Sequence, residues 1–278
     1  MKNYVLIIDP QNDFCLPSGS LYVDGATEDM SILTGFIIDN SDKIDDIFVT
    51  LDTHNPLDIA HSSMWINAEG KNPDPFTIIT NEDVVSGKWR TRNALMFKPP
   101  GESTAIPWAE YYTRKLEENN KYSLCIWPEH CLIGSVGSTI FPLLLDALND
   151  WARDRFATVN YVAKGINYLT ESYSALKAEV EDPFDPATRL NTEIIAALED
   201  PEVDNVIIAG EALSHCVANT VRDIVNNLVD TTKIKKFILL EDCCSSVTGF
   251  EELGTQFIEE MKERGMRVQK STDTILGE

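Results

Sequence analysis

Short apolar runs of strand length alternate along the chain with stretches whose apolar residues recur every three or four positions. Tyr4 to Ile8, Ile47 to Leu51, Ala157 to Ala163, Val206 to Ala209, Phe237 to Leu240 and Met266 to Gln269 have the length and flanking turn residues of buried strands. Helical spacing predicts helices over Thr27 to Ser41, Pro107 to Asn119, Ser138 to Arg153, Thr192 to Leu198 and Glu251 to Arg264. A further helix should open near Cys216, capped by Ser214, with Val217, Val221, Ile224 and Leu228 facing inward. The stretch ESYSALKAEVEDP, 171–183, reads as a helical turn broken by Pro183, and Ser123 to Trp127 as a short apolar piece. This alternation calls for an α/β fold, an open and mainly parallel sheet of about six strands with helices on both faces. No repeat, low-complexity linker or boundary interrupts it, so 1–278 reads as a single domain. Residues 55–104, rich in Pro, Asn, Asp and Gly and poor in periodicity, read as an elaborated loop region, part of a large insertion placed at about 62–124.

Composition narrows the function. With 278 residues, 43% of them hydrophobic, the chain can bury a full core. A formal charge of -22 repels polyphosphates and argues against a nucleic-acid partner. The first apolar run meets Asp9 too early for a signal peptide, and no run approaches membrane-spanning length. Six cysteines without regular spacing suit reduced thiols in a cytoplasm better than a disulfide framework, and the vicinal pair Cys243 and Cys244 reads as buried packing.

Candidate chemistry gathers where the strands end. In open α/β sheets ligands sit at the carboxyl ends of the strands, and Asp9, Asp52, His54, Lys164 and Cys216 all fall there. Cys216, in the first turn of a helix, would have its thiolate favoured by free N–H groups and the helix dipole, although a buried apolar filler would look the same. Asp52 and His54 are two apart on a strand and project from one face. With His130, which follows Trp127 and Pro128 in a tight turn, they would make a facial triad suited to zinc, iron or manganese. His61 is a possible fourth ligand. An Asp-x-His pair alone is a weak signal, since isolated histidines also serve as hydrogen-bonded structural residues.

Five motifs in order make the chain resemble the nicotinamidase family, within the isochorismatase-like cysteine hydrolases, as a divergent and longer member. These are DPQNDFC at 9–15, DTH at 52–54, WPEHC at 127–131, KGINYLTESYSAL at 164–176 and GEALSHCV at 210–217. The resemblance implies a three-layer α/β/α fold and a catalytic set of Asp9, Lys164 and Cys216. It implies a divalent metal, zinc before iron or manganese, on Asp52, His54 and His130. It further implies a substrate ring among Phe14 and Trp127, a cis peptide at Glu211 and Ala212, and an oxyanion hole from the N–H groups of Ala212 and Cys216. The implied activity is hydrolysis of nicotinamide or a related small amide through a Cys thioester, a step of NAD salvage, in a cytoplasmic protein that self-associates in many relatives.

Three departures bear on the substrate. Leu213 and Ser214 stand where the family usually has Thr and Asp, and Glu211 occupies a usually apolar place. The 62–124 insertion offers Trp65, Trp89, Arg90 and Arg92 as substrate contacts, with loop packing as their other reading, and could itself form a lid, a dimer contact or a pocket wall. Competing functions are hydrolysis of another amide, such as an N-carbamoyl compound, and a non-catalytic scaffold built on the same fold. Isochorismatase activity is disfavoured, because those relatives do not use the cysteine.

Overall fold

The computed structural model describes residues 1–277. Six strands form the central sheet: β1 (Lys2–Ile8), β2 (Asp46–Asp52), β3 (Asn160–Lys164), β4 (Val203–Gly210), β5 (Phe237–Leu240) and β6 (Arg267–Gln269). Their order is β6-β5-β4-β1-β2-β3, with every neighbouring pair parallel. The order reverses between β1 and β4, so a crevice opens at their carboxyl ends, where doubly wound sheets bind ligands. Asp9 leaves β1 and Cys216 follows β4, one on each side of that crevice.

The sheet is buried because its central strands are apolar throughout. Val5 to Ile8 and Val206 to Ala209 are almost wholly inaccessible, as expected for parallel strands covered on both sides. Helices α1 (Ala26–Asp39), α2 (Trp108–Glu118), α3 (Pro142–Arg155), α4 (Thr192–Leu198), α5 (Ala218–Asn226) and α6 (Glu251–Arg264) complete the fold. α1 and α3, which link β1 to β2 and β2 to β3, pack on each other. α5 and α6, which follow β4 and β5, both pack on the turn that carries Cys216. Right-handed crossovers place the two pairs on opposite faces of the sheet.

Three expectations shift for physical reasons. The helix expected from Ser138 begins instead at Pro142, which pre-sets the first helical φ. Residues 138–141 pair with the polar turn after β1, through Asn12 N–H to Thr139 O and Phe141 N–H to Pro10 O, both 2.8 Å. The third strand starts at Asn160 rather than Ala157, because α3 runs on to Arg155 and closes on Phe156 in the left-handed region. Residues 171–183 form no helix. Their amides serve distant partners, among them Ala175 N–H to Thr220 Oγ1 and Glu171 N–H to Tyr112 Oη, so tertiary contacts override local periodicity.

Within 62–124, short two-stranded ribbons pair Trp65–Ile66 with Arg90–Thr91, Ile78–Ile79 with Leu124–Cys125, and Met96–Phe97 with Ile106–Pro107. The insertion is therefore ordered by local pairing and by α2 and not by one long helix. Among the described residues no helix is long and apolar enough to cross a membrane. Cys243 and Cys244 are buried free thiols, as their packing role predicts.

Candidate active site

The polar turn after β1 is built by its own side chains. Gln11 holds both main-chain groups of Asp52, donating from Nε2 to the carbonyl and accepting the N–H at Oε1, each at 2.7 Å. Asp13 accepts the Cys131 N–H at 2.7 Å and thereby pins the WPEHC turn from a distance of more than a hundred residues. A Cβ on Gly137 would lie 2.0 Å from the Asp13 carboxylate, so glycine is needed for that close approach. The loop also bonds His54 N–H to Cys131 O at 3.1 Å and Trp127 N–H to Ala60 O at 2.8 Å, which carries His130 in beside β2.

Lys164, at the end of β3, is the hub. Its buried ammonium lies 3.0 Å from Asp9 Oδ2, 2.8 Å from Asp52 Oδ1, 2.7 Å from Ser172 O and 3.6 Å from Cys216 Sγ. The Cys216 thiol and the Asp9 carboxyl, both against the Lys164 ammonium, are near enough to influence each other's titration. Thr50 donates to Asp9 Oδ1 at 2.5 Å and accepts the Asp9 N–H at 3.0 Å, fixing a carboxylate whose backbone sits at φ 47°. Burial opposes the charge on Lys164, yet Asp52 and Asp9 hold its pKa well above the ordinary lysine range. Burial pushes the Asp9 carboxyl up, with Lys164 only partly offsetting it. Burial likewise pushes the Cys216 thiol well up, against the pull of Lys164.

The presentation of Cys216 differs from the sequence expectation. Leu213–Val217 forms a π-helical turn, and α5 starts only at Ala218. Ser214 caps nothing; its hydroxyl bridges the His215 ring and the Val247 N–H. The thiol is thus a resting neutral group that Asp9 can deprotonate, in place of a thiolate sustained by a helix end. The Glu211–Ala212 peptide is cis, and among the described residues nothing accepts the Ala212 N–H.

Beyond Lys164 lies a cluster of imidazoles around Asp52. Asp52 Oδ2 is 3.0 Å from His54 Nε2 and 3.2 Å from His130 Nε2, and one ligand atom from each of the three residues falls within 4.8 Å of the others. The Nδ1 atoms of His54 and His130 face acceptors, Asp58 Oδ2 at 3.1 Å and Pro128 O at 2.8 Å, which frees their Nε2 lone pairs for a cation. His61 is similar: Nδ1 meets Asn55 O at 3.2 Å, while the buried Nε2 has no partner. Its ring is 5.1 Å from that of His54 and 5.6 Å from that of His130. Burial disfavours charge on His54, but Asp52 and then Asp58 hold its pKa well above the ordinary range. The site therefore demands positive charge, and its N and O donors fit a divalent metal.

The cleft over Cys216 is lined by Phe14, Trp127, Ala212 and His130, as the sequence anticipates, and by Glu171, Tyr173 and His215, which it does not single out. Trp127 Nε1 donates to Tyr173 Oη at 3.1 Å. Glu171 is buried with Oε1 on the Ser172 N–H at 2.8 Å and Oε2 unpartnered. Trp65, Trp89, Arg90 and Arg92 do not line this cleft. Trp65 is buried with its indole on Ile59 O, and Arg92 binds Ser63 O and Asn72. The insertion contributes Phe76 and Tyr122 instead, as an outer ring against Trp127 and His215. Its own hollow of about 310 Å³, between Met64, Leu95 and Trp108, shares no residue with the Cys216 cleft.

Known proteins share this fold. The family model described as Isochorismatase domain matches residues 181–273, which include the Cys216 turn. The nicotinamidase of Escherichia coli K12 is 26% identical over 222 residues, 79% of this chain and 74% of that protein. Residues 181–273 thus match an isochorismatase domain, and the chain as a whole is similar to nicotinamidases. Solved structures show the same fold. The yeast nicotinamidase Pnc1p superposes with a TM-score of 0.61 at 20% identity, covering 96% of this chain and 99% of that one. An Acinetobacter baumanii nicotinamidase/pyrazinamidase gives 0.61 at 21% identity, covering 99% and 98%. A Pyrococcus horikoshii pyrazinamidase in complex with zinc gives 0.53 at 17% identity, covering 97% and 99%.

Proposed function

We propose that this chain is a metal-dependent cysteine amidohydrolase that cleaves nicotinamide, or a closely related small aromatic amide, to the acid and ammonia. The observation that carries the reading is one buried ammonium, Lys164, holding Asp9, Asp52 and Cys216 together at the mouth of a cleft walled by Phe14, Trp127 and Tyr173. The E. coli relative and the structural neighbours, named as nicotinamidases or pyrazinamidases, support the substrate class.

In the proposed reaction Asp9 takes the thiol proton as Cys216 Sγ attacks the amide carbonyl. The N–H groups of Ala212 and Cys216 receive the developing oxyanion, at about 3 kcal/mol per donor. Lys164 keeps its charge throughout and steadies the carboxylate and the sulfur. The C–N bond breaks as Asp9 returns the proton to the leaving nitrogen, releasing ammonia and leaving an acyl thioester on Cys216. Water, deprotonated by Asp9, attacks the thioester carbonyl; the C–S bond breaks, the thiol is regenerated and the acid departs. Asp52, His54 and His130, with His61 beside them, would hold a divalent metal, zinc as first choice, and such an ion supplies a Lewis-acid contact for a ring nitrogen. The six unpaired thiols support a reducing, cytoplasmic setting for this enzyme.

A side-by-side panel of nicotinamide, pyrazinamide and N-carbamoyl compounds, read by ammonia release from metal-loaded protein, tests the reading. The aromatic amides should be turned over with the highest kcat/KM. Preference for the N-carbamoyl compounds would replace the substrate class and keep the Asp9, Lys164 and Cys216 roles.

A further inference from the structure

Immediately behind the cleft lies a second pair of carboxyl groups that the proposed reaction does not use. Glu211, fully buried, ends the β4 connection; Asp29, buried, stands in the first turns of α1. The two carboxyl groups are close enough to shift each other's titration, and among the described residues each keeps one buried oxygen, Glu211 Oε1 and Asp29 Oδ2, without a hydrogen-bond partner. The groups that face them from the surrounding elements are Glu28 on α1, Asp242 with Cys243 and Cys244 after β5, and Cys15 after β1. No cation is among them. Two carboxylates in contact without a counter-charge cannot both ionise, so one proton lies between them. The start of α1 favours the negative charge on Asp29, which leaves the proton on Glu211.

This pair grips the segment that forms the far wall of the cleft. Glu211 Oε2 accepts the Ser245 N–H at 3.1 Å, and the Asp29 carboxyl lies near the Ser245 side chain. Ser245 O accepts the Leu213 N–H at 2.8 Å, and Ser214 Oγ accepts the Val247 N–H at 3.1 Å. The Glu211 main chain is tied the other way, its N–H to Ile8 O at 2.8 Å, next to Asp9. A Cβ at Gly25, which precedes α1 at φ 98°, would lie 2.6 Å from Ser245 Oγ, so the α1 start is fitted closely to the loop. Ala212 and Val247, the neighbours these bonds fix, both line the cleft.

We propose that Glu211 is a positioning residue: its carboxyl group, sharing one proton with Asp29, clamps the 243–247 loop to the nucleophile turn and so sets the Ala212 N–H opposite the substrate carbonyl. The catalytic part of this rests on the amidohydrolase reading, whereas the clamp does not. The folded state favours the neutral form of Glu211, so the stability it contributes is complete at low pH and is lost as pH rises through its raised pKa.

The test uses full-length metal-loaded protein as wild type, Glu211→Gln, Glu211→Ala and Asp29→Asn. Infrared difference spectra at neutral pH should show the C=O stretch of a buried carboxylic acid in the wild type and not in Glu211→Gln. The Tm of the wild type should decline as pH rises above the ordinary glutamate value of 4.5, with a slope that Glu211→Gln removes. Hydrogen exchange at the Ser245 and Leu213 amides should be at least about tenfold faster in Glu211→Ala and near wild type in Glu211→Gln. With nicotinamide, Glu211→Ala should lose about tenfold or more in kcat with KM within about threefold, and Gln should restore it. A wild type without the acid band, that slope retained in Glu211→Gln, or an Ala variant with wild-type exchange and kcat would each overturn the clamp. If Glu211→Ala does not fold, the band and slope comparison with Glu211→Gln decides. A wild type with the band and protected amides but no ammonia release overturns the nicotinamide reading and leaves the clamp standing.

Discussion

Asp52 gives Lys164 one carboxylate oxygen, Oδ1, at 2.8 Å, and turns the other, Oδ2, to the imidazoles of His54 and His130. The candidate metal cluster and the proposed nucleophile are therefore one electrostatic unit, with a single carboxylate as the shared wall. Burial opposes its charge, but His54 and Lys164 hold the Asp52 pKa well below the ordinary carboxylate range.

Removing the lysine should damage both halves. Lys164→Met leaves Asp9 and Asp52 buried without their cation, a defect worth about 3–5 kcal/mol. Chemical denaturation should show that loss, and ammonia release should fall at least about a hundredfold in the protein that remains folded. Lys164→Arg should not rescue it, since the planar fork cannot replace a point charge whose contacts include Asp9, Asp52 and Ser172 O.

Metal removal should be reversible and specific. Chelation followed by gel filtration should abolish ammonia release, and titration with zinc, manganese or iron should restore it. Elemental analysis should find about one metal per chain in the wild type and much less in Asp52→Asn or His130→Ala. His61→Ala should weaken retention of the ion if its unpartnered Nε2 faces the same cation, measured as a shift in competition with a chromogenic chelator.

The acid limb of kcat/KM should lie above the ordinary carboxylate range. In the proposed mechanism Asp9 works as a carboxylate, and burial raises its pKa, so activity should be lost as pH falls through that raised value. Thr50, whose hydrogen bond favours the ionised form, offers the control: Thr50→Val should move the limb to still higher pH. An unmoved limb in that variant would assign it to another group.

His215 supplies a stability signature. Burial lowers its pKa to about 4, so between the unfolded value near 6.5 and that point the unfolded chain binds the extra proton. The contribution is complete above about pH 6.5 and is lost as pH falls, up to about 3 kcal/mol in all. His215→Phe, which keeps an aromatic ring among Tyr122, Trp127, Tyr173 and Phe250, should flatten the stability profile over that window in denaturant titrations.

Much of this arrangement was legible in the sequence because it resides in local pattern. The strand ends at Asp9, Asp52, Lys164 and Gly210 follow from short apolar runs stopping at polar residues, and Phe237–Leu240 and Glu251–Arg264 coincide with their expected spans. What pattern missed depends on contacts made at long range. Glu171 and Tyr173 reach the cleft because 171–183 is held open by distant partners, and no periodicity records that. The π-turn at Leu213–Val217 breaks the capping logic that Ser214 suggests, because its hydroxyl is engaged by Val247 and His215. In the insertion the tryptophans and arginines drew attention by type, yet Phe76 and Tyr122 were placed against Trp127 and His215 by folding.

Ammonia release from nicotinamide by metal-loaded wild type and by metal-loaded Cys216→Ala is the most direct measurement. Steady release by the wild type, with an equal amount of nicotinic acid, and its loss in the variant with metal content and Tm retained, is the predicted result. Release undiminished in Cys216→Ala would contradict the nucleophile, and no release from the wild type would contradict the substrate.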